Sequence, residues 1–96
     1  MELSDYRVQI DRIDHQLVEL FAQRMETSAG IAACKKERGL PVLDPAREQQ
    51  KLTDVVAQAP ENMKDYTASL YTLLFELSRG YQNRLLGAST ALTAEI

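Results

Sequence analysis

The sequence predicts an all-α domain of three helices. Over most of its 96 residues, apolar side chains recur at steps of three and four, which is the spacing of one helix face. No segment shows the competing alternation of a strand. Gly39, Pro41, Pro45 and Pro60 divide the periodic sequence into three segments, and the length suits one small domain with one core.

The first segment, from about Leu3 to Glu37, predicts one long amphipathic helix. Its apolar face consists of Leu3, Ile10, Ile13, Leu17, Leu20 and Ile31. A helix of this length measures roughly 50 Å, about twice the span of a compact domain of this size. Because the projecting apolar face needs a partner, we expect an intertwined helical homodimer.

Two further helices and a tail complete the predicted architecture. Asp44 supplies an N-cap and Pro45 a favoured first-turn residue for a short helix that ends near Ala59. After Pro60, leucines repeated on one face predict a third helix over residues 64–86. We therefore expect one helical domain over residues 1–86 and a flexible tail or linker over residues 87–96, which lack periodicity.

Composition and charge disfavour several functional classes. The net charge is −3 and the 11 basic residues are dispersed, which disfavours binding to nucleic acid. The single Cys34 excludes an intrachain disulfide, and one histidine leaves too few ligands for the usual zinc site. Charged residues near the N-terminus replace the apolar stretch of a signal peptide. We expect a cytoplasmic protein that uses no metal or cofactor and contacts no membrane.

A cation interrupts the apolar face of the first helix. Arg24 occupies the heptad position between Leu17 and Ile31. Ser28 and Lys35 lie beside it on the same side of the helix, a layout that suits an anion. Alternatively, Arg24 pairs with a carboxylate across a helix interface and so enforces one packing arrangement.

Polar residues of the other two helices are ambiguous when taken singly. Arg47 and Glu48 follow Asp44 in the first turn of the second helix. Charged residues at this position can simply be solvated, so their presence alone does not indicate a binding site. Ser78 and Gln82 lie one turn apart beside the apolar face of the third helix. Both can point inward and seek partners, but Ser78 can also bond to its own helix and Gln82 can be exposed.

Taken together, these residues resemble a known family. The resemblance is carried by the segments IDRIDHQLVELFAQRM, KKERGLPVLDPARE and LSRGYQ, and by Arg7, Arg24, Lys35, Asp44, Arg47, Glu48, Ser78 and Gln82. Over residues 4–86 the chain is similar to the all-helical chorismate mutases. That family implies a three-helix chain in an intertwined dimer with two sites, which agrees with the length argument.

The resemblance implies the [3,3] rearrangement of chorismate to prephenate in the biosynthesis of phenylalanine and tyrosine. A pericyclic reaction needs no nucleophile or metal, so the protein has to hold a dicarboxylate in its reactive conformer and stabilise developing charge. By similarity, Arg7 and Arg24 bind the two carboxylates with the help of Ser78, and Arg47 adds positive field. Arg7 and Arg24 are roughly 25 Å apart along one helix, so a shared ligand requires Arg7 from the second subunit.

The same resemblance assigns contacts to the reacting bond and the ring. Lys35 and Gln82 donate to the ether oxygen, which gains negative charge as its bond to the ring lengthens. Glu48, with the backbone near Asp44, contacts the ring hydroxyl. All eight residues are therefore expected to bind substrate, and Lys35, Gln82, Arg24 and Glu48 to act in catalysis.

The sequence departs from the family pattern around Ser78. Leu77 precedes the serine where many relatives carry an acid, Arg79 follows it, and Gly80 is expected to interrupt the third helix. We expect Arg79 to be solvated and Phe75 to line the pocket.

Other polar and aromatic residues receive simpler interpretations. We expect His15 to be exposed and Cys34 to be a small core or interface residue. Tyr66, Tyr71 and Tyr81 are interpreted as packing groups with outward hydroxyls.

Two alternative functions stay open. An isochorismate pyruvate lyase on the same fold would bind a similar dicarboxylate, although Glu48 in the segment D-x-x-R-E favours the mutase. A non-catalytic helical dimerisation or regulatory module is the second alternative. The presence of Arg24, Lys35, Glu48 and Gln82 argues against such an inactive site.

Overall fold

A computed structural model describes residues 1–87. Helix α1 spans Leu3–Arg38, α2 spans Pro45–Gln58 and α3 spans Lys64–Leu86, with a short 3₁₀ turn, Glu61–Met63, before α3. The described residues contain no strand, so the all-α prediction is confirmed and the helix bounds agree with it to within a residue. Apart from Gly87, the predicted tail lies outside the described residues.

The helix ends follow from local sequence. Asp44 Oδ1 accepts a hydrogen bond of 3.1 Å from the backbone N–H of Arg47, and Pro45 is the first residue of α2. Helix α1 ends at Gly39, whose φ of 67° lies in the left-handed region that favours glycine. The backbone N–H of Leu40 then bonds to the Lys35 carbonyl at 2.8 Å, which satisfies an end carbonyl of the helix.

Helix α3 is the central packing element. It contacts the C-terminal half of α1 through pairs such as Arg24 with Ser78, and it also packs against α2. Contrary to the expectation, Gly80 does not interrupt α3, which continues to Leu86. A helix interior tolerates a single glycine at a cost of about 1 kcal/mol, which tertiary packing can offset.

The N-terminal half of α1 has no cover within the described chain. Residues 1–23 are all exposed, and the longest dimension of the chain, 53 Å, matches the length of α1. The predicted face residues Leu3, Ile10, Ile13, Leu17 and Leu20 are between 52% and 63% exposed. Among the described apolar residues only Ala32 and Val55 are buried, so one chain alone has a very small core.

Some single-residue expectations are corrected by the fold. Cys34 is exposed in the chain, so it is not a core residue, and Tyr66 is 73% exposed rather than packed. His15 is exposed as predicted and lies 3.1 Å from Glu19 one turn on. Tyr71 does pack, with its ring edge to face against Phe75. None of the described helices is long and apolar enough to cross a membrane.

Candidate active site

A pocket of about 600 Å³ lies between the C-terminal half of α1, the start of α2 and the end of α3. The predicted site residues that line it are Arg24, Lys35, Asp44, Arg47, Glu48, Ser78 and Gln82, and the predicted wall residue Phe75 lies there too. Arg7 is absent from the lining and is exposed in the second turn of α1. One chain therefore brings seven of the eight predicted residues together and leaves Arg7 apart.

The Arg24 guanidinium is held from two sides by α3. Its Nη1 donates to the Ser78 hydroxyl at 2.7 Å, and its central carbon lies 5.7 Å from the centroid of the Tyr71 ring. Within residues 1–87 its partners are thus a hydroxyl and an aromatic face rather than a carboxylate. A guanidinium has five N–H donors, so most of them stay available to an anion. Ser78 bonds to Arg24 and not to its own helix.

The Lys35 ammonium is anchored by the loop between α1 and α2. Its Nζ donates to the Val42 carbonyl at 2.7 Å, while the Lys35 backbone carbonyl accepts from Leu40. The loop therefore fixes both ends of this half-buried residue. An ammonium has three donors, so two remain for a ligand in the pocket.

Gln82 is buried, with 6% of its surface exposed, and is oriented by α1. Its Nε2 donates to the Ser28 carbonyl at 2.9 Å. Because a carbonyl can only accept, the amide must turn its nitrogen and not its oxygen toward Ser28, and a second N–H remains on that nitrogen. The exposed alternative for Gln82 is excluded. The Ser28 hydroxyl, also in the lining, is buried without a partner among the described residues.

The first turn of α2 contributes three charged residues to the pocket. Asp44 caps the helix, and this cap sets the direction in which Arg47 and Glu48 leave the backbone. The Arg47 guanidinium is exposed and donates to the Gln50 side chain at 3.3 Å. The Glu48 side chain is largely buried and its carboxylate points to α3, so it is not simply solvated.

The expectation that Arg79 is solvated was wrong. Its Nη1 lies 2.5 Å from both carboxylate oxygens of Glu48, and the two side chains are only 29% and 25% exposed. Lys51, which the sequence analysis did not consider, also lines the pocket. Helical spacing could have indicated that both residues face the pocket, since Lys51 follows Arg47 by four residues and Arg79 precedes Gln82 by three.

The pocket is strongly cationic although the whole chain is acidic. Its cations are Arg24, Lys35, Arg47, Lys51 and Arg79, against the carboxylates of Asp44 and Glu48. Such an arrangement suits a ligand with two negative charges. Within residues 1–87 no group of three or more His, Cys, Asp and Glu side chains is placed to hold a metal ion.

Comparisons with known proteins identify relatives of the chain. The chorismate mutase of Methanocaldococcus jannaschii is 26% identical over 87 residues, covering 88% of either chain. The T-protein of Haemophilus influenzae is 41% identical over 46 residues, and that of Enterobacter agglomerans is 41% identical over 51 residues. These alignments cover 48% and 53% of this chain but only 12% and 14% of the T-proteins. No solved structure matches the chain significantly.

A family model covers most of the sequence. The model described as chorismate mutase type II matches residues 6–83, a range that includes Arg7 at one end and Gln82 at the other. The match therefore contains the whole cationic pocket and every residue predicted to contact substrate. By this match the chain belongs to the type II chorismate mutase family.

Proposed function

We propose that this member of the chorismate mutase family rearranges chorismate to prephenate within the pocket between its three helices. The observation that carries the proposal is the arrangement of Arg24, Lys35 and Gln82 around one pocket. Each is held by a protein partner and each retains unused donors. Donors fixed before the substrate arrives need no reorganisation as charge develops, which is the main source of electrostatic catalysis.

The two carboxylates of chorismate are assigned to the arginines. Arg24, steadied by Ser78 and Tyr71, can offer a paired hydrogen bond to one carboxylate. Arg47 and Lys51 supply further positive charge at the α2 side of the pocket. Arg7 is assigned to the other carboxylate, and since it lies roughly 25 Å from Arg24 along α1, it is assigned from a second copy of the chain.

The homodimer is supported by the surface of α1 as well as by the site. Leu3, Ile10, Ile13, Leu17 and Leu20 form an exposed apolar face on α1, and contiguous exposed apolar surface commonly marks an interface. Residues with this spacing pack best against another helix of the same kind. A second copy, placed so that its α1 covers this face, would bury the core that one chain lacks and carry its Arg7 toward the pocket.

The ether oxygen is assigned to Lys35 and Gln82. As the bond between this oxygen and the ring lengthens, the oxygen gains negative charge, and donors aimed at it bind the transition state more tightly than the substrate. Lys35 supplies a full charge and Gln82 a neutral N–H from a buried, fixed amide. One such donor typically contributes about 3 to 4 kcal/mol to lowering the barrier.

The ring hydroxyl is assigned to Glu48, with the backbone near Asp44. Glu48 is the largely buried carboxylate of the lining, and it lies in the capped first turn of α2. A carboxylate that accepts from the hydroxyl would determine which face of the ring is presented to the donors on α1 and α3.

The direct test is incubation of the purified protein with chorismate and, separately, with isochorismate, with the products identified by NMR. Prephenate from chorismate supports the proposal. Salicylate and pyruvate from isochorismate, without prephenate, would replace it with the lyase. No turnover of either compound by a protein that forms normal dimers would support the non-catalytic module instead.

A further inference from the structure

The pocket contains an ion pair that joins two helices. Arg79 of α3 places Nη1 2.5 Å from both Oε1 and Oε2 of Glu48 on α2. Both side chains line the pocket and both are about three-quarters buried, so the pair is shielded from water more than a surface pair. In this geometry one nitrogen spans the two oxygens and fixes the plane of the carboxylate.

An unpaired Glu48 would be unfavourable in a pocket for a dianion. Its negative charge would repel both carboxylates of the substrate across a partly desolvated space. Its carboxylate would also be free to turn toward the other cations of the lining, Lys51 among them. Arg79 removes both difficulties, because it offsets the charge and limits the rotation of the group.

We propose that Arg79 is a positioning residue that holds Glu48 as a fixed acceptor for the ring hydroxyl and thereby sets the preference for a hydroxylated dicarboxylate. The inference rests on the proposed function, since it assigns the partner of Glu48 within that same site. Arg79 engages Glu48 through Nη1 and acts on the substrate through the carboxylate. A carboxylate is an acceptor only, so the paired Glu48 accepts a hydrogen bond from the ring hydroxyl, which is the donor.

A purely structural role for the pair makes a different prediction. If Arg79 only ties α3 to α2, its loss reduces the fraction of folded protein and therefore the apparent kcat, while KM stays unchanged. If Arg79 positions Glu48, its loss weakens the binding of substrate and transition state alike, so KM rises while kcat is nearly constant.

The experiment measures kcat and KM for chorismate, and for an analogue without the ring hydroxyl, with wild type, Arg79→Met, Arg79→Lys and Glu48→Ala. Arg84→Met is the matched control, because it removes the same charge from an exposed position of the same helix. Turnover of chorismate by the wild type is established first, so that failure of the proposed function is separated from failure of this inference.

For Arg79→Met we expect KM for chorismate to rise about tenfold with kcat within about twofold, the size of effect of one partly buried charge pair. The preference for chorismate over the analogue should fall to that of Glu48→Ala. Arg79→Lys should restore KM to within about threefold of wild type, since it returns the charge. Arg84→Met should match wild type in both constants.

A double substitution removes the remaining ambiguity. In Glu48→Gln the carboxylate charge is gone, so adding Arg79→Met should change KM by less than about twofold. If Arg79→Met does not fold, Arg79→Leu replaces it, because leucine is a good helix former that offers Glu48 neither a charge nor a donor. The inference is overturned if KM and the preference for the hydroxyl are unchanged in the folded variant, or if the effects of the two substitutions simply add.

Discussion

The proposed sharing of Arg7 between two subunits can be tested by complementation. Arg7→Ala and Arg24→Ala each remove one of the two proposed carboxylate contacts, so each homodimer should be nearly inactive. In a mixed dimer, the pocket with an intact Arg24 receives its Arg7 from the chain that lacks Arg24. That pocket has both arginines, and the other pocket has neither.

The expected recovery follows from counting sites. Equal amounts of the two variants that exchange subunits at random give about half mixed dimers, and each mixed dimer has one intact site of two. Activity should therefore return to about one quarter of the wild-type value per chain. The assay is the initial rate of chorismate consumption before and after the two variants are unfolded together and refolded.

A second mixture serves as the control. Arg24 and Lys35 line the same pocket of one chain. In a mixture of Arg24→Ala with Lys35→Ala, every site therefore lacks one of these two residues, and mixing should not restore activity. The reasoning is refuted if the Arg7 and Arg24 variants form mixed dimers without recovering activity. It is equally refuted if Arg7→Ala alone retains full activity.

Further predictions concern single residues and pH. Gln82→Ala should lower kcat about 10²- to 10³-fold by loss of one transition-state donor, measured by steady-state kinetics on variant protein whose helical circular dichroism is unchanged. Activity should vary little from mildly acidic to mildly alkaline pH. The amide donor of Gln82 does not titrate in this range, and His15, the one histidine of the sequence, lies outside the pocket lining. A steep fall of activity above neutrality in a pH series would contradict this. Gly80→Ala should raise the free energy of unfolding in urea by about 0.5 to 1 kcal/mol, because no atom beyond its chain neighbours and the nearby helix backbone lies within 4 Å of the added Cβ. Gly39→Ala should lower it because the φ of Gly39 is positive. Asp44→Ala should cost about 1 kcal/mol in the same measurement through loss of the α2 cap.

Helix bounds were predictable because their causes are local. The start of α2 depends on Asp44 and Pro45, and the end of α1 on Gly39, all of which act within a few residues of themselves. The periodicity of apolar residues then gave the three helices. It also gave an exposed face on α1, which is the sequence-level reason for expecting a second chain.

The contacts of the site were less accessible to sequence reasoning. Arg79 and Glu48 are 31 residues apart, and Gln82 and Ser28 are 54 apart, so both pairs depend on how the helices are aligned rather than on spacing within one helix. Gln82 and Glu48 were therefore identified as site residues only through the family resemblance. Arg79 is not part of that family pattern. Its contact with Glu48 depends on how α2 is aligned against α3, so the contact could not be predicted from the sequence.

The two halves of α1 link the stability of the fold to the proposed site. Its C-terminal half packs on α3 and carries Arg24 and Lys35, whereas its N-terminal half carries Arg7 and the uncovered apolar face. A single helix joins the two halves, so any arrangement of a second chain that buries the face also fixes where the partner's Arg7 is delivered. In the proposed homodimer, association would complete both the core and the site, so the free energy of folding and the activity per chain should depend on protein concentration in the same range.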